Sequence, residues 1–166
     1  MARLPLRSRL PAGAVVLTLA LLAVGCGGGG RAEPAADELV PVVRVVDGDT
    51  IWVAPEERVR LIGIDTPEVG WYGGRAECYG EEVGLFMRGL LEGERVRLEY
   101  DEELRDRYGR TLAHVYLEDG RMVNLLLIRR GYATVSIFDP NDRYEGRLRI
   151  AEREAQEARR GLWSAC

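Results

Sequence analysis

The 166-residue chain contains no lysine; all 23 of its basic residues are arginine. It has one histidine, His114, and three cysteines, Cys26, Cys78 and Cys166. A single imidazole excludes the zinc constellations that need two or three histidines, and cysteines this far apart form no Cys-x-x-Cys pair. Hydrolytic chemistry here would need carboxylates and a hard metal ion. An excess of positive charge is missing too, since 27 acidic residues give a formal net charge of −4. The apolar run Ala12 to Val24 is too short for a comfortable membrane span and matches the core of a signal peptide. What remains, 46% apolar and 30% charged residues, suits one globular domain with a real core and argues against disorder throughout or collagen-like repetition.

Arg3, Arg7 and Arg9 form a basic segment ahead of that run, so residues 1–25 are read as a signal peptide and set aside. The stretch Leu22-Ala23-Val24-Gly25-Cys26 resembles the lipobox of bacterial lipoproteins, in which the Cys is diacylated and becomes the mature N-terminus. That resemblance implies lipidation of Cys26 and an extracytoplasmic, membrane-anchored protein. Ordinary signal-peptidase cleavage, with Cys26 lost or left free, would give a secreted one. Residues 26–38, rich in Gly, Ala, Pro and charge, form a flexible linker. Losing three of the 23 arginines leaves 20 basic against 27 acidic residues, a mature charge near −7. A uniformly basic nucleic-acid coat protein is excluded, and any phosphate binding must be local. Export places the chain where disulfides persist. With Cys26 taken by lipid, Cys78 and Cys166 make one pair, the alternative being two free thiols.

The folded part begins near Leu39. Strand-like runs rich in Val and Ile occupy Leu39 to Val46, Thr50 to Ala54 and Arg58 to Ile64, separated by turn signals. Further strands are expected over Arg95 to Tyr100, Thr111 to Leu117 and Tyr132 to Ile137. Helical spacing places Val83, Phe86, Met87, Leu90 and Leu91 on one face of Glu81 to Leu91. A second helix covers Asn124 to Arg130 before Gly131. A third, about Tyr144 to Arg160, carries Leu148, Ala151, Ala155 and Ala158 and stops at Gly161. Strands first, with helices inserted and appended, predict an α+β fold whose strands close a small barrel.

Polar residues interrupt these strands at informative places. Asp47-Gly48-Asp49-Thr50 occupies a strand-to-strand turn, and Asp65-Thr66-Pro67-Glu68 follows the apolar run ending at Ile64. If the strands pair, Asp49 and Asp65 converge, and two carboxylates with a backbone carbonyl and waters suit a hard cation such as calcium. Taken alone, Asp-Gly-Asp also has a purely structural reading as a turn. Arg60, charged within an apolar strand, either pairs with an acid or faces an anion. Asp106-Arg107-Tyr108-Gly109-Arg110 adds a second arginine at the start of a strand, and two guanidinium forks can clamp a phosphate. His114, alternating with Ala113 and Val115, is read as structural.

Taken in order, Val45 to Thr50, Arg60 to Glu68, Cys78 to Glu82, Asp106 to Arg110 and Met122-Val123-Asn124 resemble the staphylococcal nuclease (thermonuclease) family over about Val42 to Trp163. The resemblance implies a five-stranded oligonucleotide-binding barrel with three helices, filling a thermonuclease-like domain over residues 39–166 and acting as a monomer. It also implies calcium-dependent hydrolysis of DNA and RNA phosphodiesters that leaves 3′-phosphate ends. By the same resemblance the calcium ligands are Asp49, Asp65 and the backbone carbonyl of Thr66, with Asp47 behind them, and the catalytic groups are Arg60, Glu68 and Arg110. Arg107, standing where the family has a Lys, and Tyr108 fall beside the nucleotide and its terminal phosphate. Phe138, in a segment one residue shorter than the family's pair of tyrosines, can stack a base but cannot donate a hydrogen bond. Trp71 and Tyr72 have either a stacking or a packing role. Two other functions fit the same chain: a catalytically idle nucleic-acid-binding module on this barrel, and an envelope protein whose acidic turns bind calcium structurally.

Overall fold

A computed structural model describes residues 38–70 and 74–166. The signal peptide, Cys26, the linker up to residue 37, Trp71 and Tyr72 lie outside the described residues. The chain runs through β1 (Leu39–Val45), β2 (Thr50–Val53), β3 (Glu57–Leu61), β4 (Gly63–Asp65), α1 (Gly80–Leu91), β5 (Arg95–Glu99) and β6 (Thr111–Leu117). Then follow α2 (Val123–Arg130), β7 (Thr134–Ser136), α3 (Glu145–Glu157) and the single turn α4 (Leu162–Ala165). Five strands close a barrel in the order β1-β2-β3-β6-β5. Its ladders are antiparallel except where β3 meets β6, a parallel pairing that sets Arg60 opposite Leu112.

Strand alternation decides which side chains enter the barrel. Ile51, Val53, Val59 and Leu61 are buried with Val96, Leu98, Ala113 and Val115, while Trp52, Arg58 and Arg60 stand on the alternate, outer face of the same strands. Each fully buried aliphatic side chain contributes about 1.5–3 kcal/mol. Helix α1 buries Val83, Met87 and Leu91, spaced four apart as the sequence pattern requires, and packs on β1; Phe86 and Leu90 are partly buried beside them. Glu81 and Glu82 in its first turn face the positive end of the helix dipole. Helix α3 lays Leu148, Ala151 and Ala155 against α2 and β7.

Three expectations from the sequence need correction. The run Arg58 to Ile64 is two strands, because Gly63 takes φ +79°, a left-handed conformation, and the chain leaves the barrel there. The freed β4 pairs with β7, so the segment expected as a strand over Tyr132 to Ile137 shortens to Thr134–Ser136 and joins this separate two-stranded sheet, not the barrel. The last helix ends at Glu157, shortly before Arg159 at φ +48°, and α4 is added after it. Where β3 stops, Asn124, fully buried, donates from Nδ2 to the Ile62 carbonyl at 2.8 Å and accepts the Val115 N–H at 2.9 Å. Without it two buried backbone groups would lack partners, at about 1–3 kcal/mol each. Cys78 and Cys166 form a disulfide across 88 positions, fastening the chain end to the segment just before α1.

Candidate active site

The β1–β2 turn and the end of β4 come together at one rim of the barrel. Asp47 Oδ1 accepts the Asp49 N–H at 3.1 Å, an Asx turn that fixes the loop. Gly48 must be glycine because Thr66 packs onto it: a Cβ at 48 would stand 2.4 Å from Thr66 Oγ1 and 2.7 Å from Val83 Cγ1. Asp49 is buried, and its Oδ2 accepts both the backbone N–H and the hydroxyl of Thr66, while Oδ1 accepts the Thr50 hydroxyl. One guanidinium then joins the two acidic turns. Arg60 Nη1 pairs with Asp49 Oδ2, and Nη2 binds Asp65 Oδ1 at 3.0 Å and the Ile64 carbonyl at 3.1 Å.

Arg110 is set by a tighter local device. Asp106 Oδ1 accepts the N–H groups of Tyr108 and Arg110, both at 2.9 Å, and Oδ2 accepts Arg110 Nε at 2.6 Å. Burial works against ionisation of Asp106, but the hydrogen bonds from Arg110 and Tyr108 outweigh it and hold its carboxyl below the ordinary value. Tyr108 lies under two cations, Arg107 Cζ at 4.9 Å and Arg110 Cζ at 5.5 Å from its ring centre. Arg60, Asp65, Arg107, Tyr108, Arg110 and Phe138 all line one cleft of about 590 Å³. Tyr108 and Phe138 are 62% and 74% exposed there, so both rings are open to a ligand. Glu103, whose backbone is held by the Asn141 side chain through hydrogen bonds of 2.8 and 3.0 Å, lines the same cleft.

Glu68 is not among the residues lining that cleft. It is exposed, with its N–H on Glu77 Oε2 at 3.1 Å and its carbonyl accepting the Glu77 N–H at 3.0 Å. Its burial, slight as it is, and then the charges of Asp47, Glu77 and Asp65 raise its carboxyl above the ordinary value against the pull of Arg60. Asp47 is raised as well, chiefly by burial, with hydrogen bonds from Thr50 and the charges of Arg60 and Arg110 opposing. Arg60 is lowered by burial and by Arg110, against the attraction of Asp65 and Asp47.

Asp49 and Asp65 already converge on one positive group, and all the donors offered are hard oxygens, which fits a cation of the calcium type. Among the described residues no three His, Cys, Asp or Glu side chains gather into a metal-holding group. The protein's share would be two carboxylates and the Thr66 carbonyl, with the remaining positions left to water and substrate oxygens.

A family model described as staphylococcal nuclease homologue matches residues 58–165. That stretch contains Arg60, Asp65, Glu68 and Arg110. This chain belongs to the staphylococcal nuclease family. It is 44% identical to the thermonuclease of Staphylococcus intermedius over 125 residues, covering 74% of each chain. It is 39% identical to the thermonuclease of Staphylococcus hyicus over 133 residues, 78% of each chain. Endonuclease YncB of Bacillus subtilis is 35% identical over 75% of this chain and 61% of its own. Asp47 and Asp49 precede the stretch matched by the family model; Asp49 is placed in the site by its contacts with Thr66 and Arg60, and Asp47 by its hydrogen bond to the Asp49 N–H.

Asp106 and Asn124 stood inside motifs that mark the family, but without an assigned task. The structure gives Asp106 the orientation of Arg110 and Asn124 the closure of the barrel beside Ile62. Glu77 carried no sequence signal, since its partner is the backbone of Glu68.

Proposed function

We propose that this nuclease of the staphylococcal nuclease family depends on calcium, cuts DNA and/or RNA as a monomer and leaves 3′-phosphate ends. We further propose that it acts outside the cytoplasm from a lipid anchor on Cys26. The observation that carries the catalytic part is the shared Arg60 fork, which brings Asp49 and Asp65 to one point at the edge of a cleft holding a second fixed arginine.

Asp49, Asp65 and the Thr66 carbonyl would hold the ion. When bound, calcium supplies charge stabilisation at a phosphoryl oxygen. Arg60 and Arg110 supply two planar forks that bind the scissile phosphate and neutralise charge developing on it. Glu68 orients or deprotonates the attacking water, and its raised carboxyl is the better proton acceptor for it. Tyr108 and Phe138 stack the nucleotide, with Arg107 beside its terminal phosphate.

Digestion of DNA and RNA with calcium, and then with excess chelator, tests this reading. Cutting should stop in chelator and return with calcium, and the new ends should be resistant to extension until a phosphatase acts. Undiminished cutting in chelator would overturn the metal assignment. For the anchor, the full chain should partition into detergent and its Cys26→Ser variant into the aqueous phase; mass spectrometry of an unmodified mature N-terminus would defeat it.

A further inference from the structure

The register of the first three strands places Arg44 opposite Trp52 and Trp52 opposite Arg58, a cross-strand row on the outer face of the barrel. Arg44 Cζ lies 5.8 Å from the Trp52 ring centre. Among the described residues, no ion pair joins either arginine to an acid. The indole is only half-buried and the two cations stand free of carboxylates, so part of the row is left open to solvent.

The same strand connects the row to the cleft. Arg58 and Arg60 are two residues apart on β3 and point to the same side, about 7 Å along the strand. Thr50 and Trp52 stand beside them on β2 in the same way. Arg60 lines the cleft and Arg58 lies one pleat further along the same face of β3, so the row begins about 7 Å from the cleft wall. A groove of about 620 Å³ lies beside Trp52, lined also by Val43, Arg44, Pro55, Glu56 and Glu92. Val43 is 63% exposed. Glu92 is fixed by the Val45 N–H on its Oε1 at 3.1 Å. Phosphate is attracted by Arg44 and repelled by Glu56 and Glu92 in the same lining, so a strand bound here keeps its backbone toward the arginine.

We propose that the Arg44–Trp52–Arg58 row is a second binding subsite of this nuclease. It takes the single-stranded continuation of the substrate beyond the nucleotide held in the cleft, with a base on the indole and phosphates on the two arginines. The proposal rests on the nuclease reading above. It extends that reading to a substrate class: strands of several nucleotides bind better than dinucleotides, and do so without reference to base sequence, since every base has a face to stack. The chain's net negative charge makes such a local track the place where affinity for a polyanion is gained.

Steady-state cleavage of a thymidine dinucleotide and of an oligothymidylate about 16 nucleotides long, the upper end of what one such barrel covers, tests this with the full chain. Trp52→Ala should raise KM for the oligomer about tenfold with kcat retained, and Trp52→Phe should restore most of the loss. Arg44→Gln and Arg58→Gln should each reduce the slope of log KM against log salt by about 0.7 for the oligomer. The dinucleotide is too short to leave the cleft and should be cut by all four variants as by the parent. An unchanged oligomer KM in Trp52→Ala and in the doubly substituted arginine variant overturns the subsite. So does an equal loss on both substrates, which would mark a damaged barrel. If the parent cuts neither substrate, the catalytic reading fails, and fluorescence anisotropy of the intact oligomer still decides the row. A tenfold weaker Kd in Trp52→Ala supports the row, and an equal Kd removes it.

Discussion

Thr66 donates its backbone N–H and its hydroxyl to the same oxygen of Asp49, at 3.2 and 3.1 Å. The contact is buried and joins residues 17 apart in sequence, so it holds the acidic turn after β1 against the end of β4 before any ligand arrives. Thr66→Val keeps the backbone bond and loses the other, which should cost about 1 kcal/mol of stability. Calcium affinity, read by titration calorimetry, should fall severalfold, and Thr66→Ser should recover it. Equal affinities in the Val variant and the parent would show that this hydroxyl does not order the site.

The two arginines differ in how they are held. Arg60 bridges carboxylates, whereas Arg110 is fixed through Nε on Asp106. Lysine keeps the charge at either position but loses the planar fork. Arg60→Lys and Arg110→Lys should each lower kcat by about a hundredfold or more, a scale typical of removing one preorganised donor from a transition state. For Arg110 the nucleotide Kd should change less than kcat. Turnover within a fewfold of the parent in both variants, measured at saturating calcium, would move the active site elsewhere.

Glu68→Gln keeps the shape of the side chain and removes a proton acceptor. If Glu68 serves the attacking water, turnover should drop on the order of a hundredfold, with nucleotide and calcium binding retained. A variant that loses binding and turnover together would instead assign Glu68 to the binding of the ion.

Removing the Cys78–Cys166 bridge by a double Ala substitution opens a span of 88 positions. The chain-entropy model allows a loss of at most about 4–5 kcal/mol for such a closure. Urea unfolding should show a clear fall in midpoint. Cleavage should fall as well, because Cys78 adjoins Glu77, which accepts the Glu68 N–H. A midpoint within experimental error of the parent would mean that packing of α4 alone fixes the chain end.

His114 makes stability depend on pH. Burial lowers it from 6.5 to about 4, against the attraction of Asp101 and Glu99. Its ring stands edge-on to Tyr144, and Nε2 is 3.9 Å from Asp101 Oδ2, beyond hydrogen-bond reach. Because the folded value lies below the unfolded one, the unfolded chain takes the proton first as pH falls. Stability from this group is complete above about 6.5, declines by at most about tenfold in the folding constant per pH unit, and levels off below about 4. His114→Phe keeps the ring contact and should flatten that decline. Urea midpoints at neutral and mildly acid pH check it, and an unchanged acid slope in the Phe variant would exclude His114 as the cause.

Periodicity made the barrel strands and the buried faces of α1 and α3 legible, because an apolar residue every second or every third to fourth position has one packing consequence. Arg60 drew notice as a charge inside an apolar strand, whereas Asp49 and Asp65, which turns alone could explain, were legible as site residues through the ordered set of motifs that resembles the staphylococcal nuclease family. The break at Gly63 was not legible. It depends on β7 offering a new partner far along the chain and on Leu148, whose Cδ1 would stand 2.8 Å from a Cβ at that position. Register was hidden for the same reason, and nothing in the sequence links Arg44, Trp52 and Arg58 before their strands pair.

The parallel pairing of β3 with β6 has a consequence for the order of events during synthesis. Arg60 is made early and Arg110 late, and the ladder that fixes their spacing, Arg60 opposite Leu112, forms only after about fifty further residues have followed. Until then the growing chain presents β3 as an open edge and has half of the phosphate clamp. Cleavage activity should therefore appear in one step with barrel closure, and fragments ending before Thr111 should be inert toward the nucleic acid around them.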